Sequence, residues 1–454
     1  MMNIRKDLLP VLVLFLASCQ GRPTHIPIIE TALNDSNSVY YTDFSAYPAV
    51  RNDLPIGIFD SGTGGLTVME AIMASRLLDG ENYIYFGDQA NMPYGNYPSE
   101  GKTDFLRELI MQDAFFLLGR KVKILVVACN TATAYGLEDI RAYLDESGSG
   151  IKVIGVINAG VNATLDRIKP GEEVAVGVLA TVGTVASGGY ENTFRSLALE
   201  RGYGDNILVV SHGSLGFAEA VDGKRDFICT DASGPRDGYR GPSPDHPQYK
   251  IELDLLPAYG FDFSSNKMLY EGTPEDPARL QLNAAENYAR YHLLSLMEQL
   301  RRSSDPKPLR YLVLGCTHYP YQLETLTLML EHLRQFRQGD QYPYRDLIAP
   351  DVEIIDPALE TARELYYTLL KDNLLTYRLG QSNAQFYLSV SRKDPDNPQR
   401  LDSLGRFTYE YKYGRMAGLF AQDIDIVPFS ADNIDSLTIE RFRSLRHTWP
   451  LLPF

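Results

Sequence analysis

Two cysteines stand at the same kind of turn in distant parts of the chain. Cys129 lies in VVACNTAT and Cys316 lies in VLGCTHYP, so each thiol follows an apolar run and precedes polar residues. At the carboxyl end of a buried strand, the free N–H groups of a following helix favour anions, and a thiol there ionises more easily. Both turns are therefore candidate catalytic sites, and His318 adds an imidazole beside the second thiol.

A matched pair of thiols suits a reaction that needs two acid/base groups. To invert the α-carbon of an amino acid, one group removes a proton from one face while another delivers a proton to the opposite face. One ionised and one protonated thiol can exchange these roles. A Cys–His nucleophile for acyl transfer is an alternative, but it leaves one cysteine turn unexplained. A metal site is a weaker alternative, because no C-x-x-C or H-x-x-x-H spacing supports it.

Two further turns carry polar groups that such a site needs. Asp60 opens DSGTGG after an apolar run, where its carboxylate is expected to assist a thiol or an amine, or to cap the next helix. These glycines match neither a dinucleotide fingerprint nor a P-loop, so nucleotide binding is not expected. The later segment MPYG is expected to line a polar pocket with its backbone and the Tyr94 hydroxyl.

Short apolar runs without alternation precede these turns. Such runs indicate strands covered on both faces, which is typical of parallel α/β sheets. They lie at 56–59, 83–86, 124–128, 174–179 and 311–314, and a helical segment, 135–144, follows the first cysteine turn. IGIFDSGTGG resembles VGVLATVGTV, and ILVVACNT resembles YLVLGCTH. The chain is therefore predicted to be a duplicated α/β fold with one thiol on each wall of a cleft.

The second copy is longer than the first. Residues 221–280 are rich in Gly, Pro and Asp with little periodicity, so they are predicted to be an insertion in domain 2. Residues 391–406 are expected to form another surface loop. A lid, a docking surface or a plain loop all stay open for these segments.

The composition limits the class of partner. A chain of 454 residues with 44% hydrophobic content can bury the cores of two to three domains. Its formal charge of −15 would repel a polyanion, so nucleic acid is not an expected partner. A small anionic substrate stays possible, because its binding depends on local backbone amides and helix ends rather than on the net charge.

The first residues resemble an export signal. Arg5 and Lys6 precede the apolar run 8–17, which is too short to span a bilayer. The run ends in LASC, which resembles the bacterial lipobox, so Cys19 is expected to carry lipid. Residues 1–18 would be the signal peptide and 19–50 the lipidated cysteine and an irregular tether, with the protein facing the periplasm or exterior. An uncleaved anchor, or a start codon assigned too far upstream, is the alternative.

If the protein is exported, the number of its cysteines also indicates a functional thiol. Without Cys19, three cysteines remain, including Cys229, and an odd number in an oxidising compartment indicates a working thiol. Three buried structural cysteines are the alternative.

Six separated blocks together resemble one known family. GIFDSGTGGL, YFGDQANMPYG, VVACNTATA, VIGVINAG, GVLATVGTV and LVLGCTHYP occur in that order between residue 56 and about residue 370. They are similar to the glutamate racemase family of the aspartate/glutamate racemase superfamily. The resemblance implies two pseudo-symmetric open parallel-sheet domains with the active site between them. It also implies a two-base racemase that interconverts L- and D-glutamate without any cofactor, pyridoxal phosphate included.

The resemblance also assigns residues and boundaries. The two thiols match Cys129 and Cys316, assisted by Asp60 and His318, and no metal is implied. The substrate contacts match Ser61, Tyr94, Gly95, Asn130, Thr131 and Thr317. Domain 1 would comprise 51–155 plus 356–454, and domain 2 would comprise 156–355. Glutamate is the expected small-molecule partner, the membrane is the partner of the lipid, and a homodimer stays open.

Two departures from the family pattern affect the substrate and the location. The family's cysteine or threonine followed by proline, ahead of a glutamate, is absent, and the loose match is Glu219, just before the insertion. A racemase for aspartate or another amino acid, and a lipoprotein that only binds an amino acid, are therefore kept as alternatives. An exported copy cannot supply D-glutamate directly to cytoplasmic wall synthesis, so it is expected to act on free amino acids outside the inner membrane.

Overall fold

The computed structural model describes residues 26–378, 380–394, 397–420 and 422–454. The expected signal peptide and its lipidation site, Cys19, lie outside these residues. The strands are β1 (Ile56–Asp60), β2 (Asn82–Gly87), β3 (Ile124–Val127), β4 (Lys152–Gly155), β5 (Val174–Ala180), β6 (Ile207–Gly213), β7 (Met268–Gly272), β8 (Pro277–Leu282), β9 (Leu309–Gly315), β10 (Ile348–Ile355), β11 (Asn383–Ser391) and β12 (Ile424–Pro428).

Helices cover the faces of the sheets. They are α1 (Pro27–Asn34), α2 (Leu66–Ala74), α3 (Thr103–Leu118), α4 (Asn130–Glu146), α5 (Val156–Arg167), α6 (Val182–Ala186), α7 (Gly189–Glu200), α8 (Phe217–Val221), α9 (Leu256–Tyr259), α10 (Ala285–Arg301), α11 (Leu323–Gln335), α12 (Pro357–Lys371), α13 (Tyr409–Gly414) and α14 (Ser436–Phe442). Short 3-10 helices include Tyr94–Asn96 and Tyr319–Gln322.

In the part of the chain that is described, two main sheets form. The first sheet has the order β12-β11-β2-β1-β3-β4 and is parallel except for β12. The second has the order β10-β9-β5-β6 and is parallel throughout. Every residue of β1, β3 and β5 is buried, because helices cover both faces of these central strands. The α/β prediction is confirmed: four of the five predicted apolar runs lie within strands, and the run 124–128 extends one residue beyond β3.

The duplication inferred from the sequence is visible in the strand order. In the first sheet β1 lies between β2 and β3, with β4 beyond β3. In the second sheet β5 lies between β6 and β9, with β10 beyond β9. The order β2-β1-β3-β4 therefore corresponds to β6-β5-β9-β10, and both cysteines follow equivalent strands. The domain boundaries themselves stay a prediction.

The expected tether is wrong for residues 27–47. These residues form α1 and a packed turn, and Ile28, Ile29 and Ala32 are buried in the core that includes α3. The Tyr47 hydroxyl donates to Leu118 O at 2.7 Å and fixes the end of the segment. A helix of two turns is too short to show a 3.6-residue period within a polar, tyrosine-rich stretch, so the sequence pattern concealed it.

The predicted insertion is ordered and packed. It contains α9 and β7, and β7 pairs with β8 in an antiparallel hairpin. Ile251, Tyr259 and Met268 are buried in the same core as α10. Among the described helices, none combines the length and the apolar character needed to cross a bilayer.

Candidate active site

The first thiol lies where β3 ends and α4 begins. Cys129 has extended backbone angles (φ −97°, ψ 125°) and occupies the N-cap of α4, so its Sγ accepts the Ala132 N–H at 3.4 Å. The predicted helix at 135–144 thus begins earlier, directly after the thiol. The Cys129 thiol also contacts Ser61 Oγ at 3.7 Å, and only 8% of the residue is exposed.

Asp60 supplies the negative charge beside this thiol. Its Oδ2 accepts the N–H groups of Gly62 at 3.2 Å and Gly65 at 2.9 Å, which fixes the carboxylate at the end of β1. Burial and the charge of Asp60 raise the pKa of the Cys129 thiol to about 12. The expected easy ionisation is therefore wrong for Cys129, because burial outweighs its hydrogen-bond donors.

The second thiol has a different neighbour. Cys316 follows β9, is 7% exposed, and its Sγ lies 3.6 Å from His318 Nδ1. His318 Nε2 lies 3.1 Å from Asp222 Oδ1. Burial alone would lower the pKa of His318, but its contacts with Asp222 and Cys316 raise it well above its usual value. These two contacts favour the cationic form of the imidazole.

Asp222, not Glu219, is the carboxylate that contacts His318. Glu219 is exposed on α8, whereas Asp222 follows the last residue of that helix and turns toward His318. Despite partial burial, hydrogen bonding to His318 lowers the pKa of Asp222 to about 2, so it is an anion. The loose match of Glu219 to the family glutamate stays a prediction, and no sequence motif indicated Asp222.

Residues of the two sheets meet around the thiols. Gly64 approaches the second sheet so closely that a methyl group on its Cα would lie 3.5 Å from Thr317 Oγ1 and 3.9 Å from His318 Cε1. A methyl group on Gly183 would come within 2.9 Å of the Gly95 Cα. At Gly183 the two turns can approach this closely because the residue has no side chain.

Tyr190 links the two walls, and the sequence reasoning missed it. This fully buried side chain on α7 donates its hydroxyl to Asn130 Oδ1 at 3.0 Å. Its ring lies against Gly315, the residue before Cys316, because a methyl group on Gly315 would meet Tyr190 Cε2 at 2.8 Å. Nothing in the local sequence around Tyr190 signals this contact.

Five of the six expected substrate contacts lie near the thiols. Ser61, Gly95, Thr131 and Thr317 lie at the strand ends near the thiols. Asn130 lies there too, although its Oδ1 already accepts from Tyr190.

Tyr94 differs from the expectation for its hydroxyl. That hydroxyl lies 2.6 Å from Asp88 Oδ2 and 2.7 Å from Asp113 Oδ2, and the residue is 1% exposed. Its side chain is therefore buried and holds the turn in place through these two carboxyl groups. The turn places Gly95 beside Thr131 and Gly183.

The two thiols have different chemical surroundings on the two walls. A buried thiol held in the protonated form lies on one wall, and a thiol beside an imidazolium lies on the other. Among residues 26–378, 380–394, 397–420 and 422–454, no cluster of His, Cys, Asp and Glu side chains is arranged to hold a metal ion.

Comparison with known proteins gives partial matches. No protein-family model matches this chain. A glutamate racemase from Enterococcus faecalis is 43% identical over 149 residues, which are 33% of this chain and 50% of that protein. One from Limosilactobacillus fermentum is 39% identical over 181 residues, 39% of this chain and 62% of that protein. The chain thus spans about half the length of the first curated relatives it matches.

Solved structures align over more of the chain. A glutamate racemase from Bacillus anthracis covers 74% of this chain and 88% of its own, with 27% identity and a TM-score of 0.45. One from Francisella tularensis, in complex with D-glutamate, covers 81% and 95%, with 25% identity and a TM-score of 0.46. The matched part of this chain is therefore similar in sequence to glutamate racemases.

Proposed function

We propose that this protein is a glutamate racemase that works with two thiols and no cofactor. The observation that carries the proposal is the placement of Cys129 and Cys316 after equivalent strands of two pseudo-symmetric sheets. The similarity of part of the chain to glutamate racemases supports glutamate as the substrate.

The two thiols exchange roles with the direction of the reaction. For one enantiomer, the thiolate of one cysteine takes the α-proton and becomes a thiol. The other thiol then donates its proton to the opposite face of the planar carbanion and becomes a thiolate. Inversion is complete, and the two sulfurs have swapped protonation states. Starting from the other enantiomer, the same steps run in reverse.

The neighbours of the thiols suit these roles. The imidazolium of His318 can donate from Nδ1 to a Cys316 thiolate, while Cys129 holds its proton until substrate binds. The ammonium group of an amino acid bound near Asp60 would offset that carboxylate's charge and make Cys129 easier to ionise. The free N–H groups at the start of α4 and the hydroxyls of Thr131 and Thr317 suit the substrate carboxylates.

Three cysteine-to-alanine variants test the proposal. Cys129→Ala and Cys316→Ala should each abolish racemisation, because one face of the α-carbon loses its acid/base group. Cys229→Ala is the matched control: this cysteine is also buried, and its thiol contacts Asp231, which is not among the proposed site residues. The decay of the circular dichroism signal of L-glutamate, and separately of D-glutamate, is measured under reducing conditions without added cofactor.

The outcomes separate the candidate functions. Decay from both enantiomers in the wild type and in Cys229→Ala, but in neither active-site variant, supports the assignment. Full activity in either active-site variant would refute the two-base mechanism. A flat signal with glutamate but decay with aspartate would assign a different substrate, and a flat signal with every amino acid would favour binding without turnover.

We also propose that the protein is exported and lipid-anchored through Cys19. The proposal rests on the LASC segment and the basic and apolar residues before it. Cys19→Ala should move the protein from the membrane to the soluble fraction; retention in the membrane would refute the anchor.

A further inference from the structure

The last residues of the chain form an arm that is anchored on the first sheet. The C-terminal arm is defined here as residues 429–454. Its apolar side chains, Phe429, Ile434, Phe442, Leu445 and Leu452, are buried in the core that also contains α2 and β1. On α2, Glu70 accepts the backbone N–H groups of His447 and Thr448, the latter at 2.8 Å. The arm therefore belongs to the body of the first domain.

One side chain of the arm reaches the catalytic histidine of the other sheet. Arg441, on α14, forms an ion pair with Asp222 through its Nη1 and Oδ1. That oxygen is the one that lies 3.1 Å from His318 Nε2. The guanidinium is also held by its own helix, because Nη2 donates to Thr438 Oγ1 at 3.0 Å. Asp222 Oδ1 is thus shared between the imidazole and a cation from the arm.

We propose that Arg441 is a positioning residue for proton transfer at Cys316. It orients Asp222 for His318, and its charge limits how strongly Asp222 stabilises the imidazolium. Through this contact the arm of the first domain sets the protonation state of the acid/base group on the second wall. The effect on turnover rests on the proposed racemase function.

The charges around His318 give the direction of the effect. Asp222 faces Nε2, the Cys316 thiol faces Nδ1, and Asp60 lies across Gly64 from the Cε1 edge. All three groups favour the cationic imidazole when they are ionised. Arg441 opposes them, because it shares the Asp222 oxygen and repels a second positive charge. Removing its charge should therefore raise the pKa of His318.

The test compares Arg441→Gln, Arg441→Lys and Arg443→Gln in the full chain. Arg443 is the matched control, since it lies in the same arm but pairs with Glu440 at 3.1 Å and stacks on Trp449. The pKa of His318 is measured by nitrogen NMR of labelled histidine, with the resonance assigned by its loss in His318→Gln. The pH profile of kcat/KM with L- and D-glutamate is measured in parallel.

In Arg441→Gln the pKa of His318 should rise by about one unit, because one charge at contact distance is lost from a partly exposed site. The alkaline limb of kcat/KM should move up with it. Arg441→Lys should restore most of both values, and Arg443→Gln should change neither. Because the two enantiomers have equal free energy, kcat/KM must stay equal in both directions in every variant.

The outcomes distinguish this inference from the proposed function. An unchanged pKa of His318 in Arg441→Gln, or an equal shift in Arg443→Gln, would overturn the positioning role even if the wild type racemises glutamate. Absence of racemisation in the wild type would refute the proposed function, and the NMR titration would still decide whether Arg441 acts on His318.

Discussion

The hydroxyl of Tyr94 faces more acceptors than it has protons. It lies at hydrogen-bond distance from both Asp88 and Asp113, yet it carries a single hydrogen. One carboxyl group must therefore be protonated and donate to the tyrosine oxygen. Asp88 also accepts from Asn91 at 2.9 Å and from Ser389 Oγ at 2.6 Å, which favours its charged form. Burial raises the pKa of both carboxyl groups, but that of Asp113, which has fewer donors and lies beside the charge of Asp88, is raised well above the usual value, so Asp113 is the neutral acid.

Asp113→Asn should stabilise the protein at neutral pH. The unfolded chain ionises Asp113 above about pH 4 while the native protein keeps the proton, so this residue costs stability as pH rises. An amide donates to Tyr94 in the same way and does not titrate. We expect a gain of about 1 to 3 kcal/mol at pH 7, shrinking toward pH 4, in urea unfolding. Asp88→Asn should instead destabilise; a loss in both variants would refute the assignment.

The sequence predicted single site residues only where they belong to a local motif. Cys129, Cys316 and Asp60 each follow an apolar run, so their position at strand ends could be inferred. Asp222 and Tyr190 contact residues on other elements. Such contacts depend on how the elements pack, not on the residues adjacent in the sequence. For Tyr94, the motif located the turn correctly, but it could not show whether the hydroxyl faces the pocket or the protein interior.

At the scale of elements, two buried histidines join β6 to α10. His292 Nε2 lies 3.0 Å from Leu215 O, which can only accept, so this nitrogen carries the hydrogen. His292 Nδ1 then accepts from His212 Nε2 at 2.9 Å, and His212 Nδ1 accepts from Gln299 at 3.0 Å. The chain is satisfied only with both imidazoles neutral. Burial accordingly lowers the pKa of His212 to about 4 and that of His292 well below its usual value.

His212→Gln should weaken the dependence of stability on acid. Because the unfolded state gains a proton on His212 below about pH 6.5 and the native state only near pH 4, wild-type stability falls as pH drops through this range. We expect His212→Gln to remove about 2 to 3 kcal/mol of that fall in urea unfolding between pH 7 and pH 4. The same pH dependence in variant and wild type would contradict a neutral native His212.

The elements themselves were predicted unevenly. The central strands were found because they are buried on both faces and apolar, whereas β11 mixes exposed, half-buried and buried residues and β4 is a four-residue edge strand. The sequence also showed no sign of β7 and β8. Their hairpin lies largely within a stretch whose Gly, Pro and Asp content indicates a loop. Duplicated motifs predicted the paired sheets, since equivalent strands keep equivalent turns.

At the scale of the whole molecule, one buried lysine ties distant segments together. Lys123, just before β3, is 1% exposed, and its Nζ donates to Asn52 O at 2.7 Å and to Leu374 O at 2.8 Å. It also pairs with Glu81, which is equally buried. Asn52 in turn donates to Asn373 O and Leu375 O, so the entry to β1 and the segment after α12 are held at one point.

Lys123→Met should therefore destabilise the first domain more than the loss of one contact suggests. The methionine fills the space, but Glu81 stays buried without its cation and two carbonyl groups lose their donor. We expect a loss of about 3 to 5 kcal/mol in the free energy of unfolding. The double variant Lys123→Met/Glu81→Gln should recover much of this loss, because the amide carries no charge and keeps a hydrogen-bond acceptor for the Thr376 N–H. Urea unfolding of the single and double variants measures both effects. Equal stability of the two would mean that the uncompensated Glu81 charge is not the cause, and that the lost donors to residues 52 and 374 dominate.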